Sequence, residues 1–181
     1  LKRTVVERAS PSAVEYITDG LGSVRIMGVR TENGTGLFKD EVKYRYRKLG
    51  SRDWDSLSTV DSGGTGFDPY AVDAAANVAF GFQKIDGRRA LVKLALDGTG
   101  TRETVFARPD VDVDGLIRIG RKHRVVGVSF ATDRRETAFF DPELKRIQVG
   151  LKKALPELPL VSFVDSSNDE SKLLLWLGSD I

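Results

Sequence analysis

Asp110-Val111-Asp112-Val113-Asp114-Gly115 is the stretch whose spacing points most directly to chemistry. Alternate carboxylates closed by a glycine open a calcium-binding loop, because such side chains converge on one hard cation. The full loop also needs a glutamate six residues beyond the glycine, and Arg121 stands there. With Arg118 adding more positive charge, the run reads as a polar connector. His123 is the only histidine and is flanked by Arg121, Lys122 and Arg124. A catalytic histidine needs a nucleophile and an orienting acid in reach, and the sequence brings no serine to it. We read it as a solvated hairpin tip. The same basic run lacks interleaved aromatics, so it does not describe a nucleic-acid interface.

The remaining motifs are structural. Neither a GxSxG nucleophile elbow nor a GxxxxGK[ST] phosphate loop occurs. Gly98-Thr99-Gly100 and Gly63–Gly66 are turn glycines without phosphate context. Asn33-Gly34-Thr35 matches a glycosylation acceptor, a tripeptide that loops produce often by chance. Trp54 and Trp176 fall in expected strands, where packing in the core or between sheets is the default role. No catalytic, cofactor-binding or metal-ligating residue is assigned, and no cofactor is expected.

Composition narrows the class. The 181 residues, 40% hydrophobic and 30% charged, suit an ordinary folded domain with its own core. A formal net charge of +2 gives no reason to expect nucleic acid or an anionic membrane as partner. The absence of cysteine excludes disulfides, thiolate catalysis and cysteine metal sites. The longest apolar runs, such as LLLWL at Leu173, fall far below the roughly 20 residues of a membrane helix.

The elements follow from Phe67–Arg108. This stretch contains four runs that favour the extended state: Tyr70–Ala74, Val78–Lys84, Ala90–Leu96 and Glu103–Ala107. The turn signals between them are Ala76–Asn77, Asp86–Gly87 and Asp97–Gly98. Four strands in about 40 residues make one antiparallel meander the size of a propeller blade. The unit recurs. VAFGFQ at Val78 has counterparts in VVGVSF at Val125 and LLLWLG at Leu173, about 47 or 48 residues apart, with SVRIMGVR from Ser23 upstream. First-strand runs precede each at Val14, Tyr70, Gly115 and Leu160, and third-strand runs follow at Val42–Arg47, Ala90–Leu96 and Glu136–Phe140.

The expected architecture is mainly β: a partial β-propeller of about three four-stranded antiparallel blades plus an incomplete fourth. The blades span approximately 14–60, 67–108, 115–156 and 160–181. TVVER at Thr4 is expected as the last strand of a preceding blade, and Ser62–Gly66 as a flexible connector. One helix is expected over Pro142–Leu155, replacing or following a fourth strand. Asp141 is its N-cap, Pro142 its first residue, and Leu144, Ile147, Leu151 and Leu155 mark one face. The last unit stops in mid-repeat, and the chain starts at Leu1 rather than Met. We therefore expect a segment of a longer propeller, whose open edge favours dimerisation of the isolated piece.

With the repeats in place, the chain resembles the propeller domain of the prolyl oligopeptidase family of serine peptidases, including acylaminoacyl- and dipeptidyl-peptidase-like enzymes. The resemblance is carried by FDPYAVDAAANVAFGF, VVGVSFATDRRETAFFDPEL, the helix end Lys153-Ala154-Leu155-Pro156 and LVSFVDSSNDESKLLLWLGSDI. It covers roughly Gly64 to Ile181; the first sixty residues match only in rhythm. It implies a bacterial protein, cytoplasmic or periplasmic, in which a propeller caps a C-terminal α/β-hydrolase domain carrying Ser, Asp and His. Such a propeller restricts access and positions peptide substrate, and its partners are that peptide and the hydrolase domain. None of the catalytic motif lies in this sequence. The alternative is a standalone propeller serving as a protein-interaction module. A small carbohydrate-active propeller would need paired carboxylates on inner strands, whereas Asp110–Asp114 reads as a connector.

Overall fold

The computed structural model describes residues 5–120, 122–158 and 160–179. Antiparallel sheets follow one another, each made of strands that are consecutive in the chain. The first sheet holds β1 (Ala13–Thr18), β2 (Val24–Val29), β3 (Glu41–Tyr46) and β4 (Asp55–Asp61) in that order. The second holds β5 (Asp68–Asp73), β6 (Val78–Ile85), β7 (Arg88–Ala95) and β8 (Arg102–Phe106). The third has β9 (Val113–Ile119), β10 (Arg124–Ala131) and β11 (Arg135–Phe139), and α1 (Pro142–Ala154) follows it. The last described pair is β12 (Leu160–Ser166) with β13 (Leu173–Gly178). This is a partial blade-like β fold, and no sheet closes into a barrel among the described residues.

Turn chemistry sets the strand lengths. Asn77, Asp86 and Gly87 take positive φ values of 52°, 51° and 80°. Those conformations match the twist of the flanking strands, which Asn, Asp and Gly reach at least cost. In β3 the period of two is visible as burial: Tyr44 and Tyr46 are buried while Arg45 is exposed.

A glycine in the second strand of each sheet lets large side chains cross it. Gly28 lies between Glu15 of β1 and Tyr44 of β3 in register. A Cβ there would meet the Tyr44 ring at 3.0 Å and the Glu15 stem at 3.1 Å. Gly81, between Pro69 and Val92, would press on the Phe67 ring at 2.7 Å. Gly127 lies between Ile117 and Phe139, and its Cβ would sit 2.9 Å from the Phe139 ring. Gly178 ends β13 beneath the Trp176 ring.

Adjacent sheets pack face to face through three clusters. Ile26, Tyr44, Tyr46, Phe67, Val72 and Leu94 fill the first interface. Phe82, Leu91, Val113 and Val128 fill the second. Ile119, Val126, Phe139 and Leu144 join the third sheet to α1, with Phe163 of β12 against them. Burying each such apolar side chain contributes roughly 1.5–3 kcal/mol.

The helix stands where the third sheet would carry a fourth strand. Asp141 caps it, accepting from the amides of Glu143 at 2.9 Å and Leu144 at 3.1 Å. Leu144 and Gln148 are its buried residues, and Gln148 Nε2 donates to Thr137 Oγ1 at 2.6 Å across the β11 edge. A helix laid on an edge strand shields its free backbone groups.

Two expectations need correction. Val5–Arg8 of the TVVER run forms no strand, and Thr4 lies outside the described residues. Among the described residues no strand pairs with this segment, and Glu7 ties it to Arg47. Ser62–Gly66 is a pinned turn rather than a loose connector. Asp61 Oδ1 accepts from Thr65 N at 2.9 Å, and a Cβ on Gly66 would collide with the Thr59 carbonyl.

Candidate functional site

The first strands of the first three sheets, β1, β5 and β9, border one hollow of about 300 Å³. Glu15, Tyr16, Tyr70 and Arg118 line it, and His123 stands at the turn between β9 and β10. A network of polar side chains runs beside it from sheet to sheet.

The network begins where Gly28 opens a slot. Tyr44 reaches across it, its hydroxyl 2.5 Å from Glu15 Oε1 and 3.0 Å from Asp68 Oδ1. A phenol has one proton, so it donates to one carboxylate at a time. Burial, the Glu15 hydrogen bond and the charge of Asp68 all push the Tyr44 phenol well above its ordinary range. It stays neutral and acts as a donor, not as a base.

From Asp68 the network continues through Arg89. The guanidinium is 3.8 Å from Asp68 Oδ2, donates to the Tyr70 hydroxyl at 3.0 Å, and lies 3.9 Å above the Phe82 ring. Stacking on an aromatic face holds the planar cation in one orientation. Tyr70 is fixed from its other side by an edge-to-face contact with Phe82 at 5.0 Å. Arg118 Nη1 then lies 3.5 Å from the Tyr70 carbonyl. Among the described residues Arg118 has no carboxylate within ion-pair distance, so its charge faces the hollow. Glu15 and Arg118 thus put a carboxylate and a guanidinium on the same hollow.

The aspartates singled out in the sequence are engaged separately. Asp110 takes a two-pronged hydrogen bond from Arg108, at 2.9 and 2.6 Å, which holds its carboxyl down at about 2. Asp112 accepts from the Arg89 amide at 2.9 Å and ties the second sheet to the third. Asp114 accepts from Ser129 Oγ and Arg135 Nη1, both at 2.9 Å. Three carboxylates with three sets of partners do not converge, and no group of three potential ligands forms among the described residues. Arg121 lies outside the described residues.

His123 occupies a hairpin tip as expected, with φ of 51° and its amide donating to the Gly120 carbonyl at 3.0 Å. That tip also borders the hollow, which its local sequence does not reveal. Trp54 lies just ahead of β4, with the Arg47 guanidinium 4.0 Å from its ring. Trp176 is 51% exposed on β13, not packed in a core. Its strand belongs to a two-stranded sheet, and no further sheet covers that face among the described residues.

Comparison with protein-family models, with curated proteins and with solved structures finds no match to this chain.

Proposed function

We propose that the chain is a non-catalytic propeller segment of a prolyl oligopeptidase-like serine peptidase. In this reading it restricts access and positions peptide substrate for a hydrolase domain that the sequence does not contain. The observation that carries it is the hollow over β1, β5 and β9, where Glu15 and Arg118 flank Tyr70. A carboxylate suits a peptide amino terminus, and an unpaired guanidinium suits a backbone carbonyl or terminal carboxylate. The blade-like sheets and the family-like segments support it as well. Fold likeness alone would not, because one architecture hosts many activities.

The test has two parts. The native reading frame should encode GxSxG and then Asp and His beyond this segment; a frame without them ends the peptidase reading. In that parent, Arg118→Ala should raise KM for short peptides while leaving kcat for a small ester substrate unchanged. The isolated chain should hydrolyse neither.

One observation favours the second reading, an interaction module. Val164, Leu174 and Trp176 are each more than half exposed on the β12–β13 hairpin. Clustered exposed apolar side chains mark protein-binding surfaces. Co-purification of a specific partner that is lost in Trp176→Ser would support that reading over the first.

A further inference from the structure

A cleft of about 650 Å³ lies at the end of the first sheet, lined by the β1–β2 and β3–β4 connections and by residues 5–8. Its lining includes five cations, Arg8, Arg25, Arg47, Lys48 and Arg52, against two acids, Glu7 and Asp19. Lys48 is paired outside the lining with Asp55 at 3.4 Å, which leaves a surplus of about two positive charges facing the cleft.

The floor is Arg25, only 3% exposed. Its Nε donates to the Arg47 carbonyl at 3.1 Å and its Nη2 to Asn77 Oδ1 at 2.7 Å, both neutral acceptors. Its Nη1 has no hydrogen-bond partner among the described residues. Asp19, the acid whose charge acts on it, spends Oδ1 on the amides of Leu21 and Ser23. A covered guanidinium without a paired carboxylate is costly, and its field favours an anion above it. Arg47 forms the wall, its guanidinium carbon 4.0 Å from the centre of the Trp54 ring and its Nε donating to the Arg52 carbonyl at 3.0 Å. Its free edge is met by the carboxylate of Glu7.

Glu7 comes from a segment with no strand partner among the described residues, whose Val5 and Val6 are 65% and 59% exposed. A carboxylate thus already meets Arg47 at Nη1, delivered by a strap whose described residues form no strand. Arg8 and Arg52 remain without ion pairs among the described residues. We propose that this cleft binds a small di- or tricarboxylate, with one carboxylate replacing Glu7 on Arg47 and another reaching Arg52. The site is separate from the hollow over β1, β5 and β9 and stands independently of the peptidase reading.

Citrate is the probe, and Trp54 is the built-in reporter once Trp176, half exposed, is changed to Phe. In that background Glu7→Gln should bind citrate about tenfold more tightly than the parent, because the tethered competitor is gone. Trp54 emission should change on binding, and citrate should raise the Tm. Adding Arg52→Gln, an exposed position that leaves the core intact, should weaken binding severalfold; adding Arg47→Gln should abolish it. No response of Trp54 or Tm to millimolar citrate in Glu7→Gln would overturn the proposal. So would equal affinity for inorganic phosphate, or affinity indifferent to Arg52→Gln.

Discussion

Arg124, at the start of β10, holds Glu170 in the turn of the last hairpin through Nη2 at 2.6 Å and Nε at 3.2 Å. Its remaining nitrogen, Nη1, reaches Asp141, the cap of α1, at 2.8 Å. One cation therefore joins the third sheet, the helix start and the β12–β13 hairpin. Arg124→Met should loosen the hairpin by about 1 kcal/mol, a figure kept low because the side chain is partly exposed. Amide exchange across 160–178 should quicken severalfold, while α1 survives because Asp141 keeps its two backbone amides. Exchange that quickens equally in α1 would contradict this division.

The glycines make opposite predictions according to place. Gly81 is wedged against the Asp68 carbonyl and the Phe67 ring, so Gly81→Ala should overpack the interface and cost about 1–3 kcal/mol. Gly150 lies in α1 with nothing within 4 Å of an added Cβ. There Gly150→Ala should stabilise by up to about 1 kcal/mol through helix propensity alone. Urea midpoints of the two variants should move in opposite directions from wild type.

These differences show what the sequence can and cannot display. The helix was legible because Asp141-Pro142 and the spacing of Leu144 and Ile147 are local signals of start and face. The hairpins were legible because Asp86–Gly87 and Asn77 state their turn geometry in two residues. The polar network was not, since Tyr44 meets Glu15 and Asp68 from 29 and 24 positions away. Only the sheet register, with Gly28 between them, creates that contact. Arg118 and His123 look like unrelated polar residues in the sequence, and border one hollow with Tyr70 only when three first strands adjoin. Trp176 misleads for the converse reason: strand propensity says that it alternates, not whether anything covers its face.

Asp169 provides a test of local geometry. Ser167 Oγ donates to it at 2.6 Å, and the Ser171 amide and hydroxyl add bonds at 3.2 and 2.9 Å. These bonds hold its carboxyl at about 2. An unfolded aspartate takes its proton near 3.9, so on acidification the unfolded chain binds it first. The contribution of this turn is present above that value and is lost as pH falls towards about 2. Carboxyl NMR titration should place Asp169 well below the ordinary aspartate value, as for Asp110, and Ser167→Ala should move it up. An unchanged titration in that variant would mean that the serine hydroxyl is not the cause.

Tyr44 carries the corresponding alkaline prediction. It is 5% exposed and lies between two carboxylates. Tyr44→Phe keeps the ring but removes the shared donor, and should cost about 1 kcal/mol near neutral pH, or somewhat more if desolvated oxygens are left unpaired. The sign with pH is fixed by the direction of the shift. The unfolded phenol ionises near 10, whereas the folded one holds its proton above that, so the native state binds more protons there. Stability from this group is complete below about 10 and is lost as pH climbs further. Urea midpoints measured from pH 8 to 11 should show wild type falling faster than Tyr44→Phe, so that the gap between them narrows. A gap that stays constant across that range would place the Tyr44 proton outside the network that links β1, β3 and β5.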